Sequence, residues 1–146
     1  MSFERTNSAL YLSSQLAKGL GRALHKRAAA LGFSPGQFPV LLVLWHEDGL
    51  TQRQLLDRME VEQATLANTL ARMERDGLIL RSPHPCDRRA QIVTLTARGR
   101  ELERFATEAA TLADDEIFAG FRTFERELLM EYMRMALANA RNLQRD

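Results

Sequence analysis

Apolar residues recur at helical spacing along most of the chain, and the pattern breaks where proline or glycine stands. Over residues 8–31, Leu10, Leu16, Leu20, Leu24 and Leu31, with alanines between them, predict one long helix. Gly19 and Gly21 each weaken a helix interior by about 1 kcal/mol, a cost that suits close helix packing. The four prolines fall in two places, Pro35/Pro39 and Pro83/Pro85, and punctuate the chain there. Ser34-Pro35-Gly36-Gln37 reads as a new helix start, with Ser34 as N-cap, Pro35 at the first helical position and Gln37 closing a capping box. The helix it opens runs to about Glu47. Its residues Phe38, Val40, Leu41, Leu42, Val43, Leu44 and Trp45 cover nearly every side, as expected of a helix sunk in a core.

Beyond the turn at Asp48-Gly49, Thr51-Gln52-Arg53-Gln54 repeats the capping-box pattern and opens a short helix through Leu55, Leu56 and Met59. A further helix from Glu62 to Asp76 puts Leu66, Leu70 and Met73 on one stripe, and Gly77 supplies the left-handed residue that stops it. A short helix, a tight turn and an amphipathic helix make a helix-turn-helix. Leu78-Ile79-Leu80-Arg81 and Gln91-Ile92-Val93-Thr94-Leu95 then read as two strands flanking SPHPCDRRA, a hairpin whose tip holds Arg88 and Arg89. Thr96 caps a proline-free segment in which Leu102, Phe105, Ala109 and Leu112 mark one helix. Phe121, Phe124, Leu128, Tyr132, Met135 and Leu143 mark another.

Composition narrows the class. With 146 residues, 45% apolar and 27% charged, the chain is expected to fold in water as one domain. No run approaches ~20 apolar residues, and MSFERTNSAL lacks the charge and hydropathy of a leader, so a cytoplasmic location is expected. The single cysteine, Cys86, rules out an internal disulfide or a multi-cysteine zinc site. His25, His46 and His84 lack ligand spacing, so no metal is expected, nor any cofactor. No P-loop, G-x-S-x-G or G-x-G-x-x-G is present, which disfavours an enzyme. Net charge hides a gradient: residues 51–100 carry 9 basic and 6 acidic side chains, whereas 101–146 carry 6 and 10. Eighteen of the 20 basic residues are Arg, the planar forks that suit phosphate and base edges.

The helix-turn-helix, the Gly77 stop, Asp87-Arg88-Arg89 near the hairpin tip and Leu95-Thr96-Ala97-Arg98-Gly99-Arg100 come together in one order. In this the chain resembles the MarR family of winged-helix transcriptional regulators. The resemblance also runs through Thr51-Gln52-Arg53-Gln54-Leu55 and Met73-Glu74-Arg75-Asp76-Gly77-Leu78-Ile79, so it spans nearly the whole chain. It implies a mainly α fold, a winged helix-turn-helix over residues 35–96, with residues 1–34 and 97–146 forming a helical dimerisation region. It further implies a homodimer on double-stranded DNA, usually a repressor of a near-palindromic operator, released by a small aromatic or phenolic effector. Cys86, Glu62 and Asn68 stand where the family more often has other residues.

On a helical wheel the face opposite Leu66, Leu70 and Met73 carries Ala64, Asn68, Ala71 and Arg75, with Thr65 and Arg72 at its edge. A DNA-facing role would let Asn68 pair with adenine, Ala64 touch a thymine methyl and Arg72 hold a phosphate. Gln63, Thr65 and Thr69 complete that candidate set. The alternative is a solvated face, which ordinarily carries more charge. Arg88 and Arg89 suit a minor groove, or else a salt bridge to Asp87 or another carboxylate; in the first case one arginine, Arg88 before Arg89, is expected to enter DNA and the other to anchor the wing. Cys86 is either an incidental thiol or an oxidant sensor tuned by His84 and the two arginines. Phe38, Trp45 and His46 either line an effector pocket or belong to the core. Competing with DNA binding as a whole is a winged helix used only for protein interaction. The apolar C-terminal helices have too little of their own chain to cover them, which predicts a second copy.

Overall fold

Ser8 opens the first helix, α1 (Ala9–Leu31), by accepting a hydrogen bond from the Tyr11 N–H at 3.2 Å. The computed structural model describes residues 2–143. Met1 and residues 144–146 of the expected dimerisation region lie outside them. Helix α1 ends at Gly32, whose φ of 82° lets its N–H reach the Ala28 and Ala29 carbonyls. A side chain at Gly19 would make only ordinary contact with Ile117, and one at Gly21 would meet nothing, so neither glycine is demanded by packing within the chain.

The Ser34 capping box forms, but Pro35–Gln37 make a single 3-10 turn before α2 (Phe38–His46) begins. The cause is Pro39, which has no N–H to give the Pro35 carbonyl, so the turn is closed instead by Phe38. At α3 (Gln52–Arg58) the second capping box is complete: Thr51 Oγ1 accepts from Gln54 N–H at 3.1 Å, and Gln54 Oε1 accepts from Thr51 N–H at 2.9 Å. Helix α4 (Gln63–Arg75) starts without a side-chain cap from Glu62, and it buries Leu66, Leu70 and Met73 as the periodicity requires. Gly77, at φ 75°, closes it, with the Leu78 N–H returning to the Met73 carbonyl at 2.9 Å.

That bond keeps Leu78 out of the following strand, so the hairpin is β2 (Ile79–Pro83) and β3 (Gln91–Leu95) rather than starting at Leu78. An unforeseen two-residue strand, β1 (Leu50–Thr51), pairs antiparallel with the other side of β3, giving the order β1-β3-β2. Strand β2 is antiparallel to β3, with Arg81 opposite Val93. Two long helices follow, α5 (Ala97–Ile117) and α6 (Thr123–Leu143). The fold is therefore mainly helical with one small sheet. No single described helix is long and apolar enough to cross a membrane.

One core joins α1, α2, α3, α4, the sheet and α5. Leu41, Leu44, Leu55, Leu66, Leu70, Met73, Leu78, Ile79 and Val93 are all fully buried in it. Each such side chain stabilises the fold by about 1.5–3 kcal/mol relative to exposure. Helix α6 contributes nothing to that core: none of its described residues is buried, and Phe124, Leu128, Tyr132 and Met135 face outward. Its side chains reach the body through the ion pairs Arg126–Asp115 at 2.7 Å and Arg141–Glu60 at 2.7 Å.

The first turn of α5 is pressed onto the chain leaving α4. Thr96 Oγ1 donates to the Gly77 carbonyl at 2.7 Å and accepts from Gly99 N–H at 3.0 Å. The Gly99 carbonyl in turn accepts from Trp45 Nε1 at 2.9 Å. A Cβ at Gly99 would collide with the Leu78 carbonyl oxygen and crowd Leu95. We therefore expect Gly99→Ala to destabilise the protein by about 3 kcal/mol, read as a fall of roughly 10 °C in Tm by calorimetry. An unchanged Tm would show that the helix can retreat from Leu78 without cost.

Candidate nucleic-acid interface

Because α4 buries only the Leu66, Leu70 and Met73 stripe, its other face is open. Gln63, Ala64, Thr65, Asn68, Ala71 and Arg72 are exposed, and Thr69 is half-buried. The Thr69 hydroxyl donates to the Thr65 carbonyl at 2.9 Å, which leaves its oxygen lone pairs outward. Among the described residues Gln63, Asn68 and Arg72 have no side-chain partner, so their hydrogen-bonding groups are free for a ligand. Arg75 is different: it pairs with Asp76 at 3.1 Å. So is Arg81, whose guanidinium grips Glu74 through two bonds and holds that carboxyl below its ordinary range. This pair ties the last turn of α4 to β2.

The loop between β2 and β3 is a built structure. His84 Nδ1 accepts from the N–H groups of Cys86 at 3.0 Å and Asp87 at 3.1 Å, and Asp87 Oδ1 accepts from the Arg89 N–H at 3.0 Å. One oxygen of the Asp87 carboxylate is taken by backbone, and no ion pair joins it to Arg88 or Arg89 among the described residues. Both guanidiniums stand exposed at the tip. The Cys86 thiol is also exposed, and the His84 nitrogen facing its backbone is already committed to the turn.

Between the start of α3, the start of α4 and this wing lies a cleft of about 500 Å³. Gln63, Arg88 and Arg89 line it together, over a floor of Leu56 and Leu66. Asn68 and Arg72 lie further along α4 and outside it. The cleft also adds Gln52, Arg53 and Gln91, which the sequence reading missed. Their signal was present in part: Gln52 and Arg53 directly follow the Thr51 cap, so the helix start itself aims them at the wing.

The aromatic set is arranged otherwise. Phe38 stacks on Phe33 at 6.0 Å and meets Trp45 edge-on at 6.1 Å, while His46 is exposed. Trp45 lines a cleft of about 270 Å³ with Leu44, Asp48, Leu95, Arg100 and Glu103, and neither Phe38 nor His46 shares it. No group of three metal-ligating side chains occurs among the described residues.

A helix-turn-helix whose second helix presents small and amide side chains, beside an arginine-tipped hairpin, defines a winged-helix protein of the DNA-binding class. Residues 33–90 match the MarR family. The chain is 34% identical over 98 residues to the transcriptional regulator HosA of Escherichia coli O111:H-, covering 67% of this chain and 73% of that protein. A MarR transcriptional regulator from Methanosarcina mazei Go1 superimposes with a TM-score of 0.80 at 26% identity, over 89% of this chain and 94% of the other. A MarR family regulator from Listeria monocytogenes, solved in complex with a 26mer DNA, shares the fold with a TM-score of 0.77 at 19% identity, over 91% and 89% of the two chains. This chain belongs to the MarR family of transcriptional regulators, and it is not an enzyme.

If His84 organises the wing as its two bonds indicate, His84→Ala should speed amide hydrogen exchange at Cys86 and Asp87 by roughly tenfold. The same change should leave Tm of the body almost unmoved. Unaltered exchange at both amides would mean that the turn holds without the imidazole.

Proposed function

We propose that two copies of this chain form a homodimer that binds an inverted-repeat operator and represses transcription in the cytoplasm until a small aromatic or phenolic effector releases it. Residues 1–34 and 97–146 form the dimerisation region, and residues 35–96 the winged-helix region. The observation that carries this reading is the open face of α4, whose amides and Arg72 are unpaired among the described residues, beside Arg88 and Arg89, which are unpaired there too. Asn68 has the donor and acceptor for a bidentate contact to adenine, and Ala64 the methyl for thymine. Gln63, Thr65 and Thr69 flank them, and Arg72 takes a backbone phosphate. Arg88 and Arg89 enter the minor groove, where negative potential is strongest in narrow A·T tracts.

The bare apolar side of α6, together with exposed Leu10, Leu12, Phe105 and Leu112, supports the homodimer. Two-fold symmetry then spaces the two α4 helices about 34–36 Å apart, one turn of DNA. The effector acts by favouring a spacing that no longer fits successive grooves. The cleft beside Trp45, at the foot of β3 and α5, is where such a molecule would bear on both regions.

Selection of bound sequences from random duplexes by the purified protein tests binding, symmetry and spacing at once. We expect an inverted repeat, with affinity falling on a log–log salt plot by about 0.9 per neutralised phosphate. Asn68→Ala should narrow the ratio of operator to unrelated affinity by about 1–3 kcal/mol, whereas Arg72→Ala should weaken all duplexes alike and flatten the slope by about 1. Absence of any enriched sequence or retarded duplex would favour a protein-interaction module instead.

A further inference from the structure

Among the described residues Gln37 is the one buried polar side chain, 3% exposed, and its amide is used at both ends. Oε1 accepts from the Ser34 N–H at 3.0 Å, which completes the helix cap. Nε2 donates to Asp76 Oδ2 at 2.9 Å, on the residue that immediately follows α4. A cap needs only the first bond. Asp76 is held from two other sides: Arg75 pairs with its second carboxylate oxygen, and Arg98 in the first turn of α5 donates to its carbonyl. The other arm of Arg98 donates to the Gly32 carbonyl at the end of α1. The end of α1, the start of α2, the end of α4 and the start of α5 thus meet at one polar joint.

Helix α4 has few directed bonds elsewhere. Leu66, Leu70 and Met73 hold it by apolar burial, which is non-directional, and Glu62 leaves its N-terminus without a side-chain cap. Its orientation is therefore set mainly from the C-terminal end, by Glu74–Arg81 and by the Asp76 joint. Asn68 lies eight residues from Asp76, a lever of about 12 Å, so a 5° slip at the joint moves it about 1 Å. A bidentate contact to a base edge does not survive such a shift.

We propose that Gln37 is a positioning residue for sequence readout: acting through Asp76, it fixes the angle at which α4 meets the major groove. The inference rests on α4 being the DNA-reading helix. It makes the joint a second determinant of specificity, made of residues that touch no DNA. The Asp76 carboxyl is held below its ordinary range, first by the Gln37 amide and then by Arg75, so the acceptor of the joint stays ionised.

Gln37→Glu separates the two roles, because it keeps the acceptor for Ser34 and sets a carboxylate oxygen against Asp76. Adding Asp76→Asn returns a donor to the pair. Affinities of the full-length protein are measured for a selected operator and for an unrelated duplex of equal length, alongside Tm. Gln37→Glu should lose roughly tenfold in operator affinity with the unrelated duplex and its salt slope unchanged, and Gln37→Glu/Asp76→Asn should recover most of the loss. Should Gln37→Glu fail to fold, Asp76→Ser, on a more exposed side chain, should lower the same ratio by roughly fivefold. A ratio that survives in the folded variants, or a parallel fall for both duplexes with no recovery in the double variant, overturns the positioning role alone. Equal affinity of the wild type for both duplexes overturns the DNA-reading role of α4 itself, and the joint with it.

Discussion

The close approach of α5 to the chain leaving α4 governs the rest of this molecule. Gly99 lies where no side chain fits against the Leu78 carbonyl, Thr96 bridges Gly77 to the turn of α5, and Trp45 closes the contact from α2. Three elements with different tasks are joined there within a few ångströms. The wing strands leave from it on one side, the α4 helix on another, and α5 carries the geometry away toward the exposed apolar surface of α6. A displacement along α5 therefore cannot stay local. It has to reach α4 through a joint with almost no free volume, and close-packed contacts transmit displacement rather than absorb it.

The arginines divide by geometry and not by number. Arg81, Arg75, Arg98 and Arg126 are committed to carboxylates or carbonyls within the chain, while Arg72, Arg88 and Arg89 are unpaired among the described residues. Among the committed ones Arg81 and Arg98 lock α4 to β2 and α5, and so hold the frame on which the unpaired ones are displayed. Exposed ion pairs of this sort contribute little to stability, about 0–1 kcal/mol each, and here their greater effect is on direction. The same division explains why a chain with nearly balanced net charge can still display a positive edge.

Much of the fold was legible because local chemistry and tertiary packing agree. Thr51, Thr96 and Gly77 start and stop helices where their side chains or φ values allow, and the Leu66, Leu70 and Met73 stripe is buried as spaced. Strand β1 was not legible, since two residues carry no periodicity and pair only because the turn at Asp48 delivers them to β3. The 3-10 turn before α2 was hidden in Pro39, whose missing N–H acts one turn earlier. Gln52, Arg53 and Gln91 join Gln63 at the cleft only once the wing folds over α3, a contact between segments far apart in the chain. Gln37 shows the same limit: its cap is written in four consecutive residues, but its bond to Asp76 spans 39 positions.

The surface proposed to face DNA, the open side of α4 with the wing, lies on segments separate from the apolar side of α6. Hydrogen exchange of the intact protein, recorded with and without a saturating DNA duplex at low salt, asks directly which surface the duplex covers. The account predicts slowed exchange across residues 63–72 and 86–91, with the exposed length of α6 unaffected by DNA. Slowing confined to α6, or none at the α4 helix and wing in a complex known to have formed, would contradict it.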